Sequence, residues 1–123
     1  MGKYANTDVL DGALNIVKLN ATTMIAMSGQ PATYAAATAG KLCETPMTTA
    51  DFTLAAGDIS GRKVTVGAKS GLAVEAAGTA DHVALLDPTN SRLLYVTTCP
   101  AQALPIGGTV SFAPWSVEVN NPV

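Results

Sequence analysis

Few side chains in this sequence can move a proton, attack a carbon or hold a metal, and those few are scattered. The one histidine, His82, follows Asp81. A carboxylate beside an imidazole is the pairing from which general bases are built. The residues around it read as a strand, however, where adjacent side chains point to opposite faces. The two are therefore expected to diverge, leaving His82 a solvent-facing or hydrogen-bonded structural residue. The cysteines, Cys43 and Cys99, stand far apart in the chain. With one histidine they cannot complete a tetrahedral zinc site, and two cysteines make no disulfide framework. They read as reduced thiols packed as small apolar groups.

Asp51, Asp58, Asp81 and Asp87 are single carboxylates beside turn signals, without the dense oxygen spacing of a calcium loop. Gly107-Gly108 follows Pro105 and lacks the downstream Lys-Ser/Thr and helix of a phosphate-binding loop. Ser28-Gly29 and Ser70-Gly71 read as turns rather than nucleophile elbows. The expectation is a protein that is not an enzyme, with no catalytic residues, no cofactor and no metal.

Composition points the same way. Of 123 residues only 13% are charged while 48% are hydrophobic, against about 25% charged in an ordinary soluble domain. Ala, Thr, Ser and Gly take the place of the missing charge, and such a surface loses little hydration when a partner covers it. A net charge of −2 with dispersed basic residues gives no field for nucleic acid or acidic lipid. Arg62 and Lys63 are adjacent, but on a strand they diverge. The stretch Met1 to Asn6 is polar, and no apolar run reaches the roughly 18 residues that span a bilayer. The expectation is a soluble protein made in the cytosol, and the Asn20-Ala21-Thr22 glycosylation pattern is then a chance match.

The elements follow from periodicity. Asn6, Thr7 and Asp8 are capping types, and Val9, Leu10, Ala13, Leu14, Ile16 and Val17 recur at three- and four-residue spacing. This predicts a helix over 7–19 whose apolar face packs on the protein's own sheet. Residues 22–27 read as a short buried strand, and 31–39 as one or two helical turns closed by Gly40. Strands and turns follow from about Lys41. Phe52–Ala55 is one strand, and Arg62–Lys69 alternates with Val64, Val66 and Ala68 inward. Ser70-Gly71 turns the chain into Leu72–Ala76, and Gly78-Thr79 turns it again into His82–Leu86, which ends at Asp87-Pro88-Thr89-Asn90.

Arg92–Cys99 is apolar on both faces, with Leu93 and Tyr95 on one and Leu94 and Val96 on the other. Such a strand is central or is covered by a partner. Tyr95, Leu94 and Val96 are accordingly the candidate interface residues. Val110 and Phe112 fall on even positions, Trp115, Val117 and Val119 on odd ones, and a bend at Ala113-Pro114 returns both sets to one face. Trp115 reads as a core anchor, with an interface anchor as the alternative. The fold class is mainly β, a β-sandwich or distorted barrel with one N-terminal helix, in a single domain over 1–123 whose arm and helix occupy about 1–20.

Several runs carry a family resemblance: Asp8-Val9-Leu10-Asp11-Gly12-Ala13-Leu14-Asn15, Gln30-Pro31-Ala32-Thr33-Tyr34, Asp51-Phe52-Thr53 and Gly57 to Val66. Gly78 to Leu85 and Leu93 to Thr98 belong with them. Over nearly the whole chain the sequence is similar to small virion-associated proteins of tailed bacteriophages, a group that includes head decoration, or cement, proteins. The runs are strand and turn sequences, not a chemical signature, and no site residue is carried over from them. The resemblance implies a virion location on the capsid surface, synthesis in the host cytoplasm, and the major capsid protein as partner. A tail, fibre or host-attachment component is the alternative. Low charge and the doubly apolar strand add the expectation of a homo-oligomer, dimer or trimer.

Overall fold

The computed structural model describes residues 2–122. In chain order they form α1 (Thr7–Asn20), β1 (Thr23–Met27), α2 (Tyr34–Gly40), β2 (Lys41–Pro46), β3 (Phe52–Ala56), β4 (Arg62–Val66), β5 (Lys69–Ala73), β6 (Gly78–Asp87), β7 (Arg92–Leu104), β8 (Thr109–Phe112) and β9 (Trp115–Val119). The fold is mainly β with an N-terminal helix, as the patterning predicts, and its strands pair antiparallel.

Three sheets result. One has the order β2-β1-β6-β7, one β3-β4-β9, and the third is the pair β5-β8. The four-stranded sheet forms one layer of a sandwich-like arrangement. Its Met24, Ala26, Val83 and Leu85 share a core with Phe52, Val64 and Val66 of the three-stranded sheet, Phe112 of β8, and Leu14 and Val17 of α1. Its other face carries a smaller cluster, Ile25, Met27, Ala84 and Leu86, under Ala37 of α2. β1 and the second half of β6 are thus buried on both faces, which is why they read as continuous apolar runs. Each fully buried Leu, Ile or Phe in these clusters contributes about 1.5–3 kcal/mol.

Asn6 caps α1, its side-chain oxygen accepting the Asp8 amide at 2.7 Å. The helix runs one residue past the predicted end, and Asn20 turns its side chain back to donate to the Ile16 carbonyl at 2.9 Å. Arg62 on β4 joins Asp11 on α1 through Nε to Oδ1 at 2.8 Å, and Lys63 pairs instead with Asp58 at 2.7 Å. The two neighbouring basic groups are thus spent on separate carboxylates. Asp51 closes a capping box on Thr48 and also receives Lys69 Nζ at 2.9 Å, a second task beyond forming a turn. The Thr48 amide first, then Lys69, holds its carboxyl below the ordinary range.

The strand reading needs correction at three places. Arg62–Lys69 is not one strand: β4 ends at Val66, the Gly67 amide makes one last in-register bond to the Asp51 carbonyl at 2.7 Å, and Ala68 is exposed. Ser70-Gly71 is not a turn but an irregularity inside β5, between the paired residues Lys69 and Leu72, made possible by the positive φ of 70° at Gly71. Gly78-Thr79 lies within β6, which is longer than predicted because it pairs with the far end of β7 through Leu104 and Ala103. At Ala113-Pro114 the chain does break as the parity switch predicts. β8 and β9 join different sheets, yet Val110, Phe112, Trp115, Val117 and Val119 all pack on the main core.

Candidate functional site

The patterning predicts that β7 is central or buried by a partner, and in the protomer it is not central. It lies at the end of the four-stranded sheet with β6 as its one neighbour. At thirteen residues it is the longest strand, and Leu93–Leu104 carries no charged side chain. No backbone hydrogen bond from another segment reaches this stretch among the described residues. The opposite end of the sheet is treated differently: the Leu42 carbonyl of β2 accepts the amides of Glu75 and Ala76 at 2.7 and 3.2 Å. One edge is bridged at Leu42 by the chain itself, and the other presents unpaired N–H and C=O groups without the lysines that normally guard such an edge.

The faces of β7 differ from the alternating reading. Leu85 pairs with Tyr95 while Leu86 pairs with Leu93, so Leu94 is an extra residue in a bulge. The bulge turns Leu94 toward the main core beside Tyr95 and leaves Leu93 and Val96 together against the cluster under α2. All three candidate interface residues lie on this strand. Tyr95 is 36% exposed and Leu94 and Val96 are half-buried.

Beside this edge the sandwich stays open as an apolar groove of about 410 Å³, walled by Ala80, Val83, Cys99, Val110, Phe112 and Trp115. The Trp115 ring stacks on Tyr95, with centroids 5.9 Å apart and planes at 25°. Trp115 is half-buried, and its indole Nε1–H is buried without an acceptor. A buried donor without an acceptor costs about 1–3 kcal/mol.

Asp81 and His82 do meet, contrary to the strand rule. Asp81 Oδ1 lies 2.7 Å from His82 Nδ1 and also accepts the Gly29 amide at 2.8 Å. The ladder explains it. Ala80 pairs with Gln102 and His82 with Thr98, so Asp81 sits in a second irregularity that breaks the alternation. With Asp81 ionised, Nδ1 must carry the ring hydrogen. The imidazole first, then the Gly29 amide, holds the Asp81 carboxyl below its ordinary range. This is an oriented imidazole, but among the described residues no nucleophile is hydrogen-bonded to it. Cys99 is half-buried, and burial, then the Asp81 charge, pushes its thiol up, the reverse of what a thiolate nucleophile requires. Cys43 is fully buried in β2, and burial raises its thiol likewise. Both cysteines are free. Among the described residues no three metal-ligating side chains cluster, and no helix is long and apolar enough to cross a membrane.

A second surface lies on α1. Leu10, Leu14 and Val17 are buried, but Val9, Ala13 and Ile16, predicted to share their face, point outward. The apolar residues of α1 span more than one face, and the sheets cover only part of that arc. Val9 at 67%, Ile16 at 47% and Leu19 at 63% exposure, with Tyr4 at 83% just before the helix, make four of the seven large exposed hydrophobics among the described residues. Gly12 lies between them, and a Cβ there would meet nothing within 4 Å. No packing inside the protomer accounts for a glycine in mid-helix. Spacing alone assigns this face to the core; its excess of apolar positions is the signal that some of them face outward.

Comparison with protein-family models, curated proteins and solved structures finds no match to this chain.

Proposed function

We propose that this protein is a structural subunit of a tailed-phage particle, a decoration protein that binds the major capsid protein on the head surface and stabilises the shell by packing. The observation that carries this reading is the outer face of α1, where Val9, Ile16 and Leu19 stand exposed around Gly12, with Asp8 as the one charged residue at its N-terminal margin. Clustered exposed apolar residues mark protein-binding surfaces, and a helix presenting an apolar stripe docks into grooves. The low charge of the chain and its resemblance to virion-associated proteins support the same role. In this reading the Asp81–His82 pair is structural: it ties the strand irregularity to Gly29 and performs no chemistry.

The test is add-back. Particles stripped of the protein are incubated with purified chain, and occupancy and resistance to heat or chelator are measured. Binding at high copy number with a gain in particle stability is expected. Because the contacts are apolar, binding persists at 1 M salt, where screening acts over about 3 Å. Unchanged stability at full occupancy would defeat the decoration role, and a handful of copies confined to the tail would assign the chain to the attachment apparatus.

A further inference from the structure

We propose that β7 is a self-pairing edge: two copies of this chain join β7 to β7, antiparallel about a two-fold axis, into one continuous eight-stranded sheet. The inference stands apart from capsid binding and concerns the free protein.

The edge demands a polypeptide backbone. Alternating N–H and C=O groups are matched only by another strand, and nothing in the protomer reaches them among the described residues. The usable stretch is bounded on both sides. Leu94 occupies the bulge at one end, and Pro100, which has no amide hydrogen, closes the other. Between them Tyr95–Thr98 keeps a regular register on β6. The side chains alternate on to Cys99, which packs on the main core while Thr98 is exposed, so a two-fold axis at Thr97 uses this stretch.

Three features favour a second copy as the occupant. A two-fold pairing satisfies both free edges with one set of residues, the self-complementarity of an isologous contact. No like charges meet, because the paired stretch is uncharged and Arg92 lies outside it. The side chains also fit. With Thr97 on the axis, Tyr95 of one copy stands opposite the partner's Cys99, on the face where the groove opens. The ring then fills the mouth of the partner's groove. The lack of edge guards, a liability in a monomer, becomes a requirement in the dimer.

The free protein is examined by light scattering and by amide hydrogen exchange at low and high concentration. Twice the protomer mass is expected at micromolar concentration, with Tyr95–Cys99 amides exchanging at least tenfold more slowly in the concentrated sample. Thr98→Lys changes an exposed side chain and places a charge on the paired edge. It is expected to give a monomer with unaltered circular dichroism and fast β7 exchange. Tyr95→Ser, which empties the groove mouth, is expected to weaken the dimer at least tenfold. Ile16→Asp, on α1, is expected to leave the dimer intact. A protein monomeric at high micromolar concentration overturns the proposal. So does a dimer whose β7 amides exchange freely, or one broken by Ile16→Asp and kept by Thr98→Lys. None of these readouts involves a capsid, so failure here and failure of the decoration role are told apart.

Discussion

Trp115 of β9 stacks on Tyr95 of β7 with ring centroids 5.9 Å apart, and this contact joins the free edge of the four-stranded sheet to the layer that packs against it. The stack is one-sided. The indole N–H ends in a buried position with no acceptor, so the pair gains dispersion and apolar burial while leaving one polar group unpaired.

Opposite outcomes are therefore expected for two substitutions at this site. Trp115→Ala removes a half-buried ring and widens the groove, and should cost about 2–4 kcal/mol, toward the lower end of the range for aromatic truncation. Trp115→Phe keeps the stack and removes the unpaired donor, and should cost less than about 1 kcal/mol. Urea unfolding followed by circular dichroism measures both. Equal costs for the two variants would mean that the stack contributes nothing.

The acid side of the stability profile should depend on Asp87. Its side chain is only 2% exposed and receives Asn90 Nδ2 at 2.9 Å and Arg92 through Nε and Nη2 at 3.0 and 2.9 Å. The Asn90 side chain first, then Arg92 and the Asn90 amide, lowers its pKa despite burial. A carboxyl lowered in the folded state stabilises the fold above its unfolded pKa and loses that contribution as pH falls through the folded value. Thermal melts from pH 7 down to 2 should show a Tm that begins to fall within the ordinary carboxylate range and goes on falling below it, toward the lowered folded value. Asp87→Asn should melt lower at pH 7 and show a shallower fall in acid. A parallel curve for the variant would exclude Asp87 from the acid transition.

How much of this is legible in the sequence follows from period and its interruptions. Regular stretches such as β1, β3 and Val64–Val66 of β4 can be read from spacing because side-chain direction follows from it alone, whereas α1 is legible as an element but not in which of its apolar residues face inward. Two of the errors sit where extra residues enter β7 opposite β6. The bulge at Leu94 exchanges the faces of β7, and the irregularity at Asp81 brings its carboxylate onto His82. No Gly or Pro announces the first, and Pro100 on the facing strand is the one signal of the second. The role of Asp87 is half visible: Asp-Pro-Thr-Asn announces a turn, but its burial depends on the distant strands that close over it. That β7 is an edge is hidden for the same reason, since strand order is a long-range property and an apolar strand reads alike whether its cover is its own chain or another.

The two thiols should separate by reactivity. Cys43 is fully buried and Cys99 half-buried beside the groove, and both are raised above the ordinary thiol range. Folded protein kept monomeric by Thr98→Lys and treated with a maleimide should label at one site, Cys99, slowly at neutral pH and faster as pH rises and the thiolate forms. Cys43 should react only after unfolding, with or without prior reduction. Peptide mapping of the adduct decides it, and rapid native labelling at Cys43 would contradict the packing of β2 on β1.

The outer face of α1 offers a case in which stability and binding should move in opposite directions. Gly12 lies in mid-helix, and a Cβ at this position would have nothing within 4 Å. Gly12→Ala should therefore raise stability by about 0.5–1 kcal/mol through helix propensity and the lost freedom of the unfolded chain. If a capsid surface approaches the helix at this point, the added methyl group lies at the closest contact and should weaken add-back to stripped particles several-fold. Ile16→Asp, one turn on, places a charge on the same face and should abolish add-back while leaving the melting temperature within a few degrees, because Ile16 is 47% exposed and touches the core little. The informative comparison is between the two variants: a more stable protein that binds less, beside an equally stable one that does not bind, identifies the face as the docking surface. A Gly12→Ala protein that gains stability and binds normally, together with an Ile16→Asp protein that still decorates particles, would remove α1 from the contact and leave the decoration role without its carrying observation.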